Sequence, residues 1–190
     1  MEIVKFIEDI SKERPLYKNS MRYNSYDWRD YSDLTTTTPI QRKLTKGECV
    51  IDLDGVSEFQ MNTIPEWLSS QDLKIMAHRT SQTGMHIHFW SDIWGKHQKR
   101  ELVRIISEKI EKTFNVKADL LPMGHGHIRA ENSIHPTKLV RKTLIYNNIP
   151  LISPTNEIPN ELRVKLPSID IRPNKGKCGP VNGKIPTCVR

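Results

Sequence analysis

Cys49-Val50-Ile51-Asp52-Leu53-Asp54 is an apolar run that ends in two carboxylates one residue apart, and Gly55 follows at once. Side chains alternate along a strand, so Asp52 and Asp54 share one face while Ile51 and Leu53 share the other. The pattern predicts a strand with one face in a core and an acidic end turned to a ligand. Two carboxylates about 4 Å apart repel by roughly 1 kcal/mol in water and about 4 kcal/mol near a protein surface. A shared proton offsets that repulsion, and so do divalent cations. Cations held in this way are the basis of two-metal phosphoryl transfer. The plain alternative is a turn after a strand, because Asp-Gly favours turns.

The same alternation recurs in Met85-His86-Ile87-His88-Phe89-Trp90, where Met85, Ile87 and Phe89 share one face and His86 and His88 the other. Leu73 to His78 reads as a further strand, joined to it by the turn Ser81-Gln82-Thr83-Gly84. Gly84 lets the backbone approach a ligand closely. Ile3, Phe6, Ile7 and Ile10 recur at helical spacing and predict a helix ending near Arg14-Pro15. Leu102, Ile106, Ile110 and Phe114 predict the longest helix, over 97–114. A short helix is expected over 65–69, strands over 116–121 and 139–146, extended segments over 16–34 and a polar loop over 35–39. Helices mixed with hairpin-connected strands predict an α+β fold with a largely antiparallel sheet. Prolines accumulate after Asn147, so a single domain is expected over 1–166, with 167–190 as a linker or tail.

A chain of 190 residues suffices for one domain with a real core. Its net charge of +7 favours polyanionic partners, with simple solubility as the plain alternative. No run of about 18 apolar residues occurs, so no membrane-spanning helix is expected. The first residues lack the apolar core of a signal peptide. Three widely spaced cysteines give neither a disulfide framework nor a four-cysteine zinc site, and a cytoplasmic setting is expected.

Two further groups carry chemistry. His-x-His occurs in metal sites, so His86 and His88 with Asp52, Asp119, His125 or His127 leave a mononuclear zinc or iron centre open. The stretch from His127 to Lys138 brings the guanidinium of Arg129, the hydroxyl of Ser133, the imidazole of His135 and the ammonium of Lys138 into one turn-rich segment. That set suits a triphosphate, and a basic surface loop is its plain alternative.

Taken in order, these segments resemble the archaeo-eukaryotic primase superfamily, above all the small catalytic subunit of DNA primase. Arg22-Tyr23-Asn24-Ser25-Tyr26 is similar to that family's early Arg-Tyr-x-Ser-aromatic segment. Glu48 to Asp54 is similar to the strand of its first motif, Asp-x-Asp. Ser81 to His86 is similar to the second motif, a Ser and Gly-rich turn leading to a histidine. Arg129, Ser133 and His135 are similar to the third, a basic residue followed by Ser-x-His. The resemblance covers residues 22–138. It departs from the family's usual form in lacking a cysteine-rich zinc insertion: none of the 31 residues between Asp54 and His86 is a cysteine. In size the chain resembles the compact primase-polymerases of plasmids and viruses.

The resemblance implies an RRM-like sheet flanked by helices and a template-directed nucleotidyltransferase. It implies that Asp52, Asp54 and Asp119 hold two Mg²⁺ or Mn²⁺ ions. By the same likeness His86 contacts the triphosphate, Arg129, Ser133, His135 and Lys138 clamp its phosphates, and Ser81, Arg22 and Arg79 add contacts. The implied partners are nucleoside triphosphates and a single-stranded DNA template with its primer. A large primase subunit, a helicase or a fused C-terminal domain would join them, at the nucleoid, in archaeal or plasmid replication. Arg42, Lys43, Lys46 and the basic residues over 96–104 are candidates for the template backbone, with a solvated face the preferred reading for most of the helix charges. Two other readings stay open. One is a non-catalytic single-strand-binding module, since the primase sheet resembles RNA-recognition folds. The other is the mononuclear histidine and carboxylate enzyme.

Overall fold

A computed structural model of the chain describes residues 3–19, 28, 39–137 and 139–167. Arg22, Lys138, most of the loop at 35–39 and the tail beyond 167 lie outside the described residues.

The acidic run forms β3 (Glu48–Asp54), and the His-x-His run forms β5 (Gly84–Ser91). They pair antiparallel, with Asp52 opposite His86 and Asp54 opposite Gly84. β3 also pairs with β6 (Lys117–Asp119), and β5 with β4 (Met76–Arg79). The outer edge beside β4 is β8 (Thr143–Asn147), and the short β9 (Thr155–Asn156) runs parallel to the end of β5. The order of this large sheet is β6-β3-β5-β4-β8. A small antiparallel sheet joins β1 (Tyr17–Asn19), β2 (Ile40–Lys43) and β7 (His127–Arg129) in that order. The fold is α+β, with the largely antiparallel sheet that the alternation predicts.

Alternation decides what each face of the large sheet meets. Ile51, Leu53, Met85, Ile87 and Phe89 turn to one side. There they pack on Met61, Ile64 and Leu68 of α2 (Glu58–Ser70) and on Leu102, Val103, Ile106 and Ile110 of α3 (Lys96–Phe114). The opposite face is divided along its length. At one end Met76 and Trp90 meet Phe6, Ile7 and Ile10 of α1 (Ile3–Ser11). In the middle the small sheet covers Glu48 and His88 with Arg42 from β2. At the far end, around Asp52 and Asp54, the face is uncovered. No described helix is long and apolar enough to cross a membrane.

Several boundaries differ from expectation, each for a local reason. α2 starts at Glu58, not Pro65, because Ser57 and Gln60 form a reciprocal capping box. Pro65 sits inside that helix, where its nitrogen gives up the bond to the Met61 carbonyl. β4 starts at Met76, not Leu73, because side chains take the preceding amides: Lys74 N donates to Asn156 Oδ1 at 2.8 Å and Ile75 N to Asn148 Oδ1 at 2.6 Å. β6 stops at Asp119, whose Oδ1 accepts the Leu121 amide at 2.8 Å and turns the chain into the short α4 (Leu121–His125). β8 starts at Thr143, since before it Leu139 has φ +53° and only the bridge Ile134 to Arg141 pairs.

Candidate active site

The uncovered end of the sheet opens into a cavity of about 440 Å³. Asp52, Asp54 and His86 reach it from the large sheet, and Thr80 and Ser81 from the turn between β4 and β5. Arg129 of β7 and His135, beyond that strand, close it from the other side, with Pro122, Ile128 and Pro136 between them. Six residues singled out in the sequence, Asp52, Asp54, Ser81, His86, Arg129 and His135, are therefore gathered from three stretches of chain.

One row across the sheet runs Asp119, Asp52, His86, His78. Directly opposed residues in antiparallel strands have Cβ atoms about 4.5–5.5 Å apart, so Asp119 stands beside Asp52 without lining the cavity. His86 Nε2 lies 3.3 Å from Asp52 Oδ1. Burial would raise the Asp52 pKa, but His86 and the charges of Lys142 and Arg129 outweigh it, and the carboxyl titrates below its ordinary value. Burial also lowers the His86 pKa, against the pull of Asp52. Asp52, Asp54 and Asp119 are oxygen donors on adjoining strands, the ligand class that Mg²⁺ and Mn²⁺ take.

Arg129 faces these carboxylates across the cavity. Its Nη2 donates to the Thr80 carbonyl, while Nε and Nη1 are buried with no partner among the described residues. Desolvation pulls its pKa down to about 10, against the opposing pull of Asp52. A guanidinium withdrawn from water with two donors unmatched is costly, and anionic oxygens drawn to it in the cleft offset that cost.

Beneath the cavity lies a sealed layer of charge between the two sheets. Arg42 donates from Nη2 and Nη1 to the carboxylate of Glu48 at 2.6 and 2.8 Å, and from Nε to Glu131 Oε2 at 2.7 Å. Lys142 Nζ donates to Glu131 Oε1 at 2.9 Å and to the Arg129 carbonyl at 3.0 Å, and faces His88 Nε2 at 3.0 Å. His88 Nδ1 lies 2.8 Å from Glu48 Oε1. Since an ammonium only donates, His88 accepts at Nε2 and carries its proton on Nδ1, toward Glu48. Burial and then Lys142 push the His88 pKa down to about 3. Burial would raise both Glu48 and Glu131, but Arg42 outweighs it and holds each low.

Four residues singled out in the sequence stand away from the cavity. Arg42 is fully buried and cannot meet a template backbone. Both nitrogens of His88 are engaged, so it is not a ligand beside His86, whose ring centroid is 6.1 Å away. Among the described residues, the trio of potential ligands gathered within 4.8 Å is instead His78, His88 and Glu131, and the Lys142 ammonium already stands against two of its members. Ser133 is buried, with its hydroxyl accepting the Ile40 amide at 2.7 Å, and does not line the cavity. Arg79 pairs with Met85 in register, so it faces the helix side, where it meets Glu58. The sequence reading missed Thr80, Glu48 and Lys142. Alternation from Asp52 back to Glu48 carried a signal for the second, and nothing in the sequence pattern marked Lys142.

Comparison with protein-family models and with curated protein sequences gives no match. Among solved structures, the chain is similar to the polymerase domain of ligase D from Mycobacterium tuberculosis, in complex with DNA. Identity is 13%, the likeness covers 57% of this chain and 52% of that one, and the TM-score is 0.47. The chain thus spans about half the length of that structure.

Proposed function

We propose that residues 1–166 form a nucleotidyltransferase of the primase-polymerase kind, which adds nucleotides along a single-stranded template in the cleft beside β3. The observation that carries this reading is Arg129: two buried donors without a partner among the described residues, on one wall of a cavity whose other wall holds Asp52 and Asp54. A ligand that satisfies both walls is anionic toward Arg129 and accompanied by cations toward the aspartates. A nucleoside triphosphate with divalent metal has that character. The order of the motifs, Asp-x-Asp, Gly-x-His, Arg and Ser-x-His, supports the same reading.

In this reading Asp52, Asp54 and Asp119 would hold two Mg²⁺ or Mn²⁺ ions. When bound, the ions supply activation of a 3′-hydroxyl and neutralisation of the departing pyrophosphate. The chain's own residues do the positioning. His86 donates from Nε2 to Asp52 and fixes its carboxylate. Arg129 takes the phosphates, with His135 on the same side of the cavity and Ser81 lining it from the β4–β5 turn. Thr80 holds Arg129 by its carbonyl and keeps the guanidinium turned into the cleft.

The test is incorporation of labelled nucleotides on a single-stranded template with Mn²⁺, with and without a primer. The wild type is expected to extend the primer. Asp52→Ala and Asp54→Ala are expected to abolish incorporation while the protein stays folded, with Asp52→Ala lowering the melting temperature, because His86, Lys142 and Arg129 favour the ionised carboxyl in the folded state. Extension at the wild-type rate by the double alanine variant overturns the assignment.

A further inference from the structure

We infer that Lys142 is a positioning residue for nucleotide binding: its ammonium, sealed between the two sheets, holds the backbone of Arg129 and so sets where that guanidinium stands in the cleft. The inference rests on Arg129 acting as the phosphate clamp.

Lys142 has no exposed surface and no part in the cavity lining. An ammonium has three donors, and here the Arg129 carbonyl, Glu131 Oε1 and His88 Nε2 take them, at 3.0, 2.9 and 3.0 Å. His88 belongs to β5 and is tied in turn to Glu48 of β3. Arg129 ends β7 of the small sheet. Lys142 therefore links the strand that carries the guanidinium to the two strands that carry Asp52 and His86. Without it, the described ties of Arg129 to the large-sheet side would reduce to one side-chain bond, to the Thr80 carbonyl.

The layer's charges balance: Arg42 and Lys142 against Glu48 and Glu131, with His88 neutral. Balance alone does not require a lysine, because apolar side chains of similar volume often replace a buried ion pair at no loss of stability. What an apolar side chain cannot supply is a hydrogen bond to one particular carbonyl. A displacement of about 1 Å at a binding group is enough to cost up to two orders of magnitude in function.

Two roles for Lys142 are thus separable, charge balance and placement of Arg129. The experiment uses the full chain with Mn²⁺, measuring affinity for the fluorescent nucleotide mant-ATP beside the melting temperature. Lys142→Met is expected to lower both. Lys142→Met combined with Glu131→Gln removes one charge of each sign, leaving Arg42 matched to Glu48. This double variant is expected to recover the melting temperature while its affinity stays roughly tenfold below wild type. Recovery of affinity together with stability overturns the inference, because the lysine then only balances charge. A double variant that does not fold also overturns it, because the ammonium then holds the fold itself. Arg129→Ala is the control, expected to weaken mant-ATP at least as much. Unchanged affinity in that variant instead removes the phosphate-clamp reading, whatever Lys142 does.

Discussion

A single buried histidine shows how the sealed layer sets the response to pH. His78 is buried, stacks edge-on to His88 with ring centroids 5.2 Å apart, and has no partner for either nitrogen among the described residues. Burial pushes its pKa well below the ordinary 6.5. In the folded state His78 and His88 stay neutral, while in the unfolded chain each protonates near 6.5. Below that pH the unfolded state binds more protons, so stability falls as pH falls, by about 1.4 kcal/mol per unit for each such histidine. For His88 the loss continues down to its folded pKa of about 3. Glu48 and Glu131, both held low, add to it only as pH drops below their ordinary value of 4.5. His78→Phe keeps the ring contact and deletes two unmatched polar atoms. It is expected to raise stability at pH 5 by about 1–3 kcal/mol and to flatten the acid slope by about one proton. Urea unfolding at pH 5, 6 and 7 measures both, and an unaltered slope would show that His78 is not held neutral. The sequence placed His86 and His88 on one face correctly. It could not reveal that a second sheet seals the middle of that face, because alternation reports which residues share a side and not what covers it.

Among the elements, the hairpin of β4 and β5 carries the turn that lines the cavity. Gly84 opens β5 opposite Asp54, and a Cβ there would stand 2.6 Å from Thr80 Oγ1 and 2.7 Å from Ser81 Oγ. Both contacts are far inside van der Waals distance, so Gly84→Ala must push Thr80 and Ser81 away. Thr80 is the residue whose carbonyl holds Arg129. The expected result is a several-fold loss of mant-ATP affinity with a stability cost of about 1–3 kcal/mol for the forced repacking. Equal affinity in the alanine variant would show that the turn does not position the clamp. Elements with long periodic patterns were legible: β3, β5, α1 and α3 fall where alternation or helical spacing predicts them. The three-residue β7 and four-residue β2 were not, since neither has room to show a period and each is fixed by pairing with the other. α2 is longer than the segment expected over 65–69, because its start signal is Ser57-x-x-Gln60 and Pro65 lies within the helix.

Over the whole molecule, the surplus of +7 charges matters less than where part of it lies. In the small sheet Tyr17, Ile40, Arg42 and Ile128 face inward and are buried. By register Lys18, Gln41, Lys43, His127 and Arg129 share the other face. Trp28 sits among them, with Lys18 Nζ and Lys43 Nζ each 4.9 Å from its ring and His127 at 6.0 Å. Among the described residues no carboxylate belongs to this set, and its last member, Arg129, lines the cavity. Of the basic trio expected to meet a template, Arg42 is withdrawn into the interior and Lys43 stands on this strip. The proposed reaction needs a track that brings a single strand to the cleft, and cations interleaved with aromatic rings form one. Each phosphate neutralised on a single strand contributes about 0.7 to the slope of log affinity against log salt. Replacing both Lys18 and Lys43 by Gln is therefore expected to weaken binding of a labelled oligo-dT and to reduce that slope by about 1.4. Neither lysine lines the cavity, so mant-ATP affinity is expected to stay at the wild-type level. Fluorescence anisotropy over a range of salt concentrations measures the slope. If it is unchanged in the double variant, the strand reaches the aspartates by another face of the protein, and the strip beside Arg129 is only a solvated edge.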